Sequence, residues 1–414
     1  MKNIFDQKLI VIAAFTLFAG CEPPEPQVES EGTLQDHVTW LADDERAGRL
    51  AGAIEESESA NYIAEYFFEY GLIPAGDDGT FLQQFILEGP MPQMLEKDNH
   101  ISRNVVGLIE GTENPDQYII VGAHYDSQGM GGAISMGGGN GESIHNGADD
   151  NASGTAGLIY LADYFSSEMP KKSMIFVAFS GEEMGLLGSR FFVEQMIVDT
   201  ENILAMINLD MIGRLNDDEL TIFGTGTSDL WEEMINNIEV DSLNISTTPA
   251  GSGASDHRSF YEMEIPVLHY FTGTHDDYHR ASDTADKVNY SGLEKVLDHV
   301  RQLIESLDEK DASEMAFIES TDPHGGGFDF EGVTLGVMPD YSYSGDGFRV
   351  DGVRQDEPGD LAGMQEGDII IEMGESEISD IYDYMEMLGE FEEGDEVIIT
   401  VRRSGEEIEL DVRF

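Results

Sequence analysis

Between about residues 33 and 309, short continuous apolar runs alternate with longer stretches in which apolar positions recur every three or four residues. Residues 118–123 (YIIVGA), 174–179 (MIFVAF), 203–209 (ILAMINL), 220–223 and 265–271 (IPVLHYF) read as buried strands, being short, apolar and bounded by glycine or polar residues. Residues 153–165, 184–196 and 291–307 carry their apolar positions at helical spacing. Strands without polar alternation are buried on both faces, and intervening helices are what cover them. The expectation is an α/β domain of three layers, α/β/α, around a mostly parallel mixed sheet. In such sheets ligands gather at the carboxyl ends of the strands, so residues just beyond each strand are the ones to inspect.

The pattern breaks at the charged stretch 308–321, and a linker is expected at residues 310–327. Residues 328–414 are β-rich with one or two short helices and read as a separate small domain. There is no long internal repeat. The glycine-rich stretch 129–141 is a loop without the strand-to-helix setting of a phosphate-binding loop, and that reading is discounted.

At the N-terminal end, Lys2 and Lys8 give a positive start ahead of an apolar run at residues 9–18 (LIVIAAFTLF), too short to span a bilayer as a helix. It ends in Ala19-Gly20-Cys21, which resembles a bacterial lipobox with Phe18 as its departure. The resemblance implies a signal peptide at residues 1–20, an acylated Cys21, and export to the bacterial cell envelope. A lipid anchor would then hold the chain at the outer membrane, on its periplasmic or surface side. Residues 21–32, acidic and proline-rich after the cysteine, are expected to be an extended tether. Cys21 is the only cysteine, so no intramolecular disulfide is available and the fold rests on its core and on metals.

Of the 414 residues, 83 are acidic and 21 are lysine or arginine, for a net charge of −62. That balance speaks against a nucleic-acid partner, which needs a basic face. The acids are spread along the whole chain, as in a solvated surface suited to salty surroundings, where screening relieves self-repulsion.

The inspection of strand ends finds His124 in GAHYDS, the pair Glu182 and Glu183 in SGEEMGLLGS, and Asp210 in NLDM. Asp150 in GADDNASG stands at the entrance to a helix beginning near Ser153, and His279 in YHRASDT follows the last strand. Mixed nitrogen and oxygen donors without cysteine suit zinc, with manganese or cobalt as substitutes. Two histidines cannot complete two separate zinc sites, so a shared carboxylate between two ions is the economical arrangement. Paired ions can hold a water between them, lower its pKa and polarise a carbonyl. A neighbouring base must then take the proton, and the adjacent acids Glu182 and Glu183 can divide ligation and proton transfer.

These motifs in this order, with RNVVG near Arg103 and SDHRSF near Ser255, resemble the co-catalytic di-zinc aminopeptidases of metallopeptidase family twenty-eight. The resemblance covers about residues 34–307. It implies that two Zn²⁺ are held per chain, His124 and Asp210 on one, Glu183 and His279 on the other, with Asp150 as the bridge. It further implies Glu182 as general base and acid, Asp126 as the carboxylate that orients His124, and Tyr278 as donor to the oxyanion. Some relatives place a tyrosine three residues before SDH, where this chain has Ser252. Asp149 is the alternative bridge, and His257 is expected to order its loop. No role is assigned to His145, His269 or His275.

Residues 328–414 resemble the bacterial PDZ domains of HtrA-type proteases, through Thr334-Leu335-Gly336-Val337, FRVDGV and GMQEGDIIIEM. The resemblance implies that the 334–337 loop receives a peptide C-terminus while the peptide adds as a strand. The alternatives are a domain that only packs on the peptidase, and a lid over its cleft. The expected function is therefore an exopeptidase removing N-terminal residues from peptides outside the cytoplasm. A carboxypeptidase or dipeptidase with Arg214 or Arg258 on the substrate carboxylate stays open, as do a silent PDZ-type binding protein and a glutaminyl cyclase-like transferase.

Overall fold

The computed structural model describes residues 33–132, 135–136, 143–196, 198–320, 333–339, 343, 347–353, 357–374, 376–379, 381–388, 391 and 394–414. The expected signal peptide, Cys21 and the tether lie outside them, as does part of the expected linker. Residues Leu34–Phe414 form one compact unit.

The larger sheet contains β1 (Ile73–Pro74), β2 (Leu82–Ile86), β3 (Ile101–Ile109), β4 (Asn114–His124), β5 (Lys172–Phe179), β6 (Ile203–Leu209), β7 (Glu219–Phe223), β8 (Asn244–Thr248) and β9 (Val267–Phe271). Its order is β1-β3-β5-β4-β6-β9-β7-β8, with β2 paired to β3. The central strands β5, β4, β6 and β9 pair in parallel, as does β7 with β8. The pairings of β3 with β1, β2 and β5, and of β7 with β9, are antiparallel. Parallel character is thus concentrated at the centre, where crossover helices fit, while the flanks turn back on themselves.

Successive residues of the central strands enter different cores. Ile119, Val121 and Ala123 of β4 and Met174, Phe176 and Ala178 of β5 pack with the helices Leu34–Leu41, Ile54–Glu69, Gly154–Glu168 and Tyr290–Asp308. Ile120 of β4 and Ile175, Val177 and Phe179 of β5 point to the other face, against Phe192, Val193 and Phe260 of the helices Leu187–Glu194 and His257–Tyr261. This two-sided burial is why the strand sequences read as continuous apolar runs. The helix Tyr290–Asp308 shows the complementary logic. Asn289 caps it by accepting from the Gly292 amide at 3.0 Å, and Leu293, Val296, Leu297, Val300, Leu303, Ile304 and Leu307 form its buried stripe.

The second sheet joins β10 (Val337–Pro339), β11 (Phe348–Val353), β12 (Ile369–Met373), β14 (Glu396–Arg403) and β15 (Glu406–Arg413), with β13 (Ser376–Glu377) on β12. Every recorded pairing in it is antiparallel, and it encloses its own core of Leu335, Phe348, Val350, Ile370, Met373, Ile399 and Val401. The expected small β-rich domain is therefore present. Among the described residues no helix is long and apolar enough to cross a membrane.

His299 lies fully buried on the helix Tyr290–Asp308, its Nδ1 3.0 Å from the Tyr270 hydroxyl, and burial lowers its pKa from the ordinary value to about 4. The neutral ring stabilises the fold fully above the unfolded value near 6.5. Between pH 6.5 and 4 the unfolded chain takes up the proton first, and stability is lost. We expect this group to contribute on the order of 3 kcal/mol of acid destabilisation. The difference in unfolding free energy between wild type and His299→Gln should therefore shrink from pH 7 to pH 4.5; a constant difference would refute the assignment.

Candidate metal centre

Each side chain expected at the site reaches it from the end of a central strand or the loop behind it. His124 closes β4, Glu182 and Glu183 follow β5, and Asp210 follows β6. Asp150 lies in the short turn Ala148–Ser153 that leads into the helix Gly154–Glu168. Gly147 introduces that turn at φ 53°, where a Cβ would fall 2.2 Å from Ser127 Oγ and 2.1 Å from the Asp150 carbonyl oxygen, so only glycine fits. His279 sits in the loop after β9, at φ 53°.

Asp150 holds the centre together. Its Oδ1 is 3.3 Å from His124 Nε2, which is also 3.3 Å from Asp210 Oδ1. Its Oδ2 is 3.1 Å from His279 Nε2, which is 3.6 Å from Glu183 Oε2. One carboxylate thus offers one oxygen to each of two donor groups, His124–Asp150–Asp210 and Asp150–Glu183–His279, and each group has the composition and closeness to hold a metal ion. The donors fit zinc: ligands about 2.0–2.1 Å from a tetrahedral ion stand roughly 3.3 Å apart, which is the spacing observed. Among the described residues Glu183 Oε1 is buried without a hydrogen-bond partner, as a ligand oxygen would be.

The electrostatics point the same way. Burial pushes Glu182 well above the usual carboxylate range and Glu183 up to about 7, with neighbouring acids adding to both. Burial also opposes charge on His124, yet Asp210 and Glu182 hold its imidazole well above its ordinary value. For Asp150 burial acts upward, but hydrogen bonds to His124 and His279 keep it far below. Carboxylates this close and this dry need compensating positive charge, and a divalent ion would favour their charged forms.

The supporting residues were partly foreseen. His124 Nδ1 is 3.3 Å from the backbone oxygen of Asp126 and 3.7 Å from its carboxylate, so the main chain is the nearer acceptor. The Asp126 carboxylate accepts instead from the Glu182 amide at 3.2 Å, tying that residue to the end of β4. Asp149 is turned away from the donor groups. Its carboxylate accepts from the Gly213 amide at 2.7 Å and Ser153 Oγ at 3.0 Å and lies 3.1 Å from His275 Nε2. His257 stacks on His269 at 4.5 Å with planes 6° apart, and its buried ring nitrogens make no hydrogen bond, so it lies outside both donor groups.

Other residues were missed. Gln128 donates from Nε2 to Glu183 Oε2 at 3.1 Å, and Ser255 Oγ donates to Asp210 Oδ2 at 2.7 Å. Buried Arg49 donates to the carbonyl oxygens of Tyr125, Leu41, Asn146 and Gly147, binding the N-terminal segment to the loops that carry His124 and Asp150. These long-range contacts have no local signature; the polar residues flanking each motif were the only hint.

Two recesses lie at or beside the centre, one called inner because donor-group residues line it and one called outer because none does. The inner one is lined by Asp150, Glu183, His279, Gln128, Arg280 and Asp283, among others. The outer one is lined by Tyr278, His275, Asp276, Arg280, Met136 and Glu366, the last from the C-terminal β-rich region. Tyr278 packs its ring 3.9 Å from that of His279 and lines the outer recess, not the inner one. Arg214 pairs with Asp277 at 2.7 Å and Arg258 with Glu262 at 2.8 Å, and neither lines these two recesses among the described residues. In the second domain Leu335 is buried and the Gly336 amide donates to Thr334 Oγ1 at 3.0 Å, so one amide of the expected carboxylate loop is already engaged.

Residues 104–304 match the model of peptidase family M28, and residues 327–414 match a PDZ domain. A probable zinc metalloprotease of Pyrenophora tritici-repentis is 39% identical over 109 residues, 26% of this chain and 24% of that protein. The match thus spans about a quarter of that relative's length. Aminopeptidase YwaD of Bacillus subtilis is 27% identical over 218 residues, 49% of this chain and 44% of that protein. The structure of BSAP, a zinc aminopeptidase from Bacillus subtilis, superposes with a TM-score of 0.53 at 18% identity, covering 70% of this chain and 99% of that one, which marks a shared fold.

Because both donor groups draw on Asp150, Asp150→Ala should lower divalent-metal content more than Asp210→Ala or Glu183→Ala. Elemental analysis of gel-filtered variants reads this directly, and equal losses in all three would contradict the shared role.

Proposed function

Because the chain belongs to peptidase family M28 and carries a PDZ domain at its C-terminal end, we propose that it is a zinc-dependent exopeptidase that removes N-terminal residues from peptides. The observation that carries the reading is Asp150, whose two oxygens face the two histidines. Two zinc ions per chain are proposed, one held by His124, Asp150 and Asp210, the other by Asp150, Glu183 and His279. Bound there, they supply Lewis-acid polarisation of a peptide carbonyl and a water of lowered pKa.

The chain's own residues do the rest. Glu182 takes a proton from water as its oxygen attacks the carbonyl carbon, and returns that proton to the leaving nitrogen as the C–N bond breaks. Desolvation, with the neighbouring Asp210 adding to it and His124 opposing it, raises its affinity for the proton, which suits a group that must hold one between the two events. Asp126 fixes the Glu182 backbone. Tyr278, against His279 at the mouth, is the proposed donor to the oxyanion. Acids around the inner recess favour a substrate with a free α-amino group, and relatives bearing the name aminopeptidase support that choice. Export with an acylated Cys21 anchoring the chain to the cell envelope, and capture of a peptide C-terminus by residues 334–337, are proposed from the sequence motifs.

Glu182→Gln should keep its metal yet lose about 10²- to 10⁴-fold in kcat, the usual share of a general base. The substrates are amino-acid p-nitroanilides and their N-acetylated forms, with only the free-amine compounds cleaved by the wild type. Near-normal turnover in the variant would remove Glu182 from proton transfer, and equal cleavage of acetylated substrates would remove the N-terminal specificity.

A further inference from the structure

Arg280 follows His279 in the chain and lines both recesses, the inner one beside Asp150 and Glu183 and the outer one beside Tyr278 and Glu366. Among the described residues it is the sole arginine or lysine lining either. With 83 acids to 21 bases, cations in this chain readily find carboxylates. Arg214 and Lys287 pair with Asp277, and Arg258 pairs with Glu262. Arg280 has no such partner among the described residues, and its hydrogen bond from Nη1 to the Met136 carbonyl is long, at 3.5 Å.

We propose that Arg280 receives the free C-terminal carboxylate of a short peptide whose scissile bond lies over Asp150 and Glu183, so that the preferred substrates are dipeptides. The proposal rests on the exopeptidase reading and names its substrate class. A guanidinium presents a rigid fork of donors that matches a carboxylate bidentately. In a dipeptide that carboxylate lies one residue beyond the scissile bond, a span of about 3.5 Å, short enough for one end of the substrate to meet Arg280 while the other meets the donor groups. The outer recess carries Asp276 and Glu366 beside Arg280, which disfavours any position there for the carboxylate other than on the guanidinium.

The PDZ domain closes the same rim. A Cβ at Gly352 of β11 would fall 2.0 Å from Met136 Cε and 4.0 Å from Arg280 Nη2, so the strand backbone lies directly against both. Glu366 of the same domain lines the outer recess with Arg280 and Tyr278, and in this proposal a longer peptide would run against it. This assigns the PDZ domain a part in limiting substrate length, in addition to any peptide it binds.

The test uses the full-length, metal-loaded protein with Leu-Gly, its C-terminal amide, Leu-Gly-Gly-Gly and N-acetyl-Leu-Gly. Wild type should prefer the dipeptide acid to its amide and to the tetrapeptide. Arg280→Gln should raise KM for the acid about ten- to a hundredfold, bringing the acid-to-amide ratio towards one, and Arg280→Lys should restore part of the preference. Calorimetric binding of a reduced-bond dipeptide analogue, as acid and as amide, should show the same selectivity without turnover. Metal content and melting temperature establish that each variant is folded and loaded. Equal losses on acid and amide, or an unchanged ratio, would overturn the proposal and leave Arg280 as a balancing charge. Cleavage of N-acetyl-Leu-Gly with the acid preference intact would overturn the aminopeptidase reading alone. Free-amine cleavage indifferent to the carboxylate would overturn the Arg280 proposal alone.

Discussion

Asp150 stands between two imidazoles in a place where water cannot screen it, 6% exposed and within 3.3 Å of each ring. Three carboxylates and two histidines converge there, and their burial works against every charge they carry. The surrounding loops can be read as responses to that pressure. Arg49, wholly buried, spends its guanidinium on four main-chain carbonyls and fixes the chain on either side of His124 and Asp150. Its pKa falls to about 10 through burial, partly offset by Asp126, Asp150 and their neighbours, so it remains a cation at any ordinary pH. One permanent positive charge cannot balance the whole cluster, and a divalent metal ion would supply what is lacking.

The surface obeys a different rule from the centre. A net charge of −62 is tolerable on a solvated exterior because screening confines each repulsion to about a Debye length. Exposed ion pairs such as Lys171–Glu309 contribute little under those conditions. Stability comes from the two-sided core, where alternate residues of β4 and β5 pack against different helical layers. Against this acidic background an arginine that lines two recesses, without a carboxylate partner among the described residues, is the feature that departs most from expectation.

The PDZ domain links these themes. It has its own core and its own sheet, yet Gly352 and Glu366 bring it to the rim of the peptidase cleft.

Much of this was readable before any coordinates. The apolar runs of β4, β5, β6, β7 and β9 and the stripe of the helix Tyr290–Asp308 are local, set by the two-sided burial of a central sheet and the 3.6-residue period of a helix. Rules of strand ends placed His124, Glu183, Asp210 and Asp150 in advance, because in an open sheet the carboxyl ends of parallel strands share one edge. The antiparallel flanks, the main-chain partner of His124, the turning away of Asp149 and the pairing of Arg214 and Arg258 were decided by the tertiary structure. So were the support from Arg49 and Gln128 and the meeting of Arg280 with the PDZ rim. Most of these depend on groups tens to more than a hundred residues apart, chosen by burial and charge balance in three dimensions; the contacts of His124 with Asp126 and of Arg258 with Glu262 span only two and four residues, yet which partner each side chain takes is still set by its surroundings.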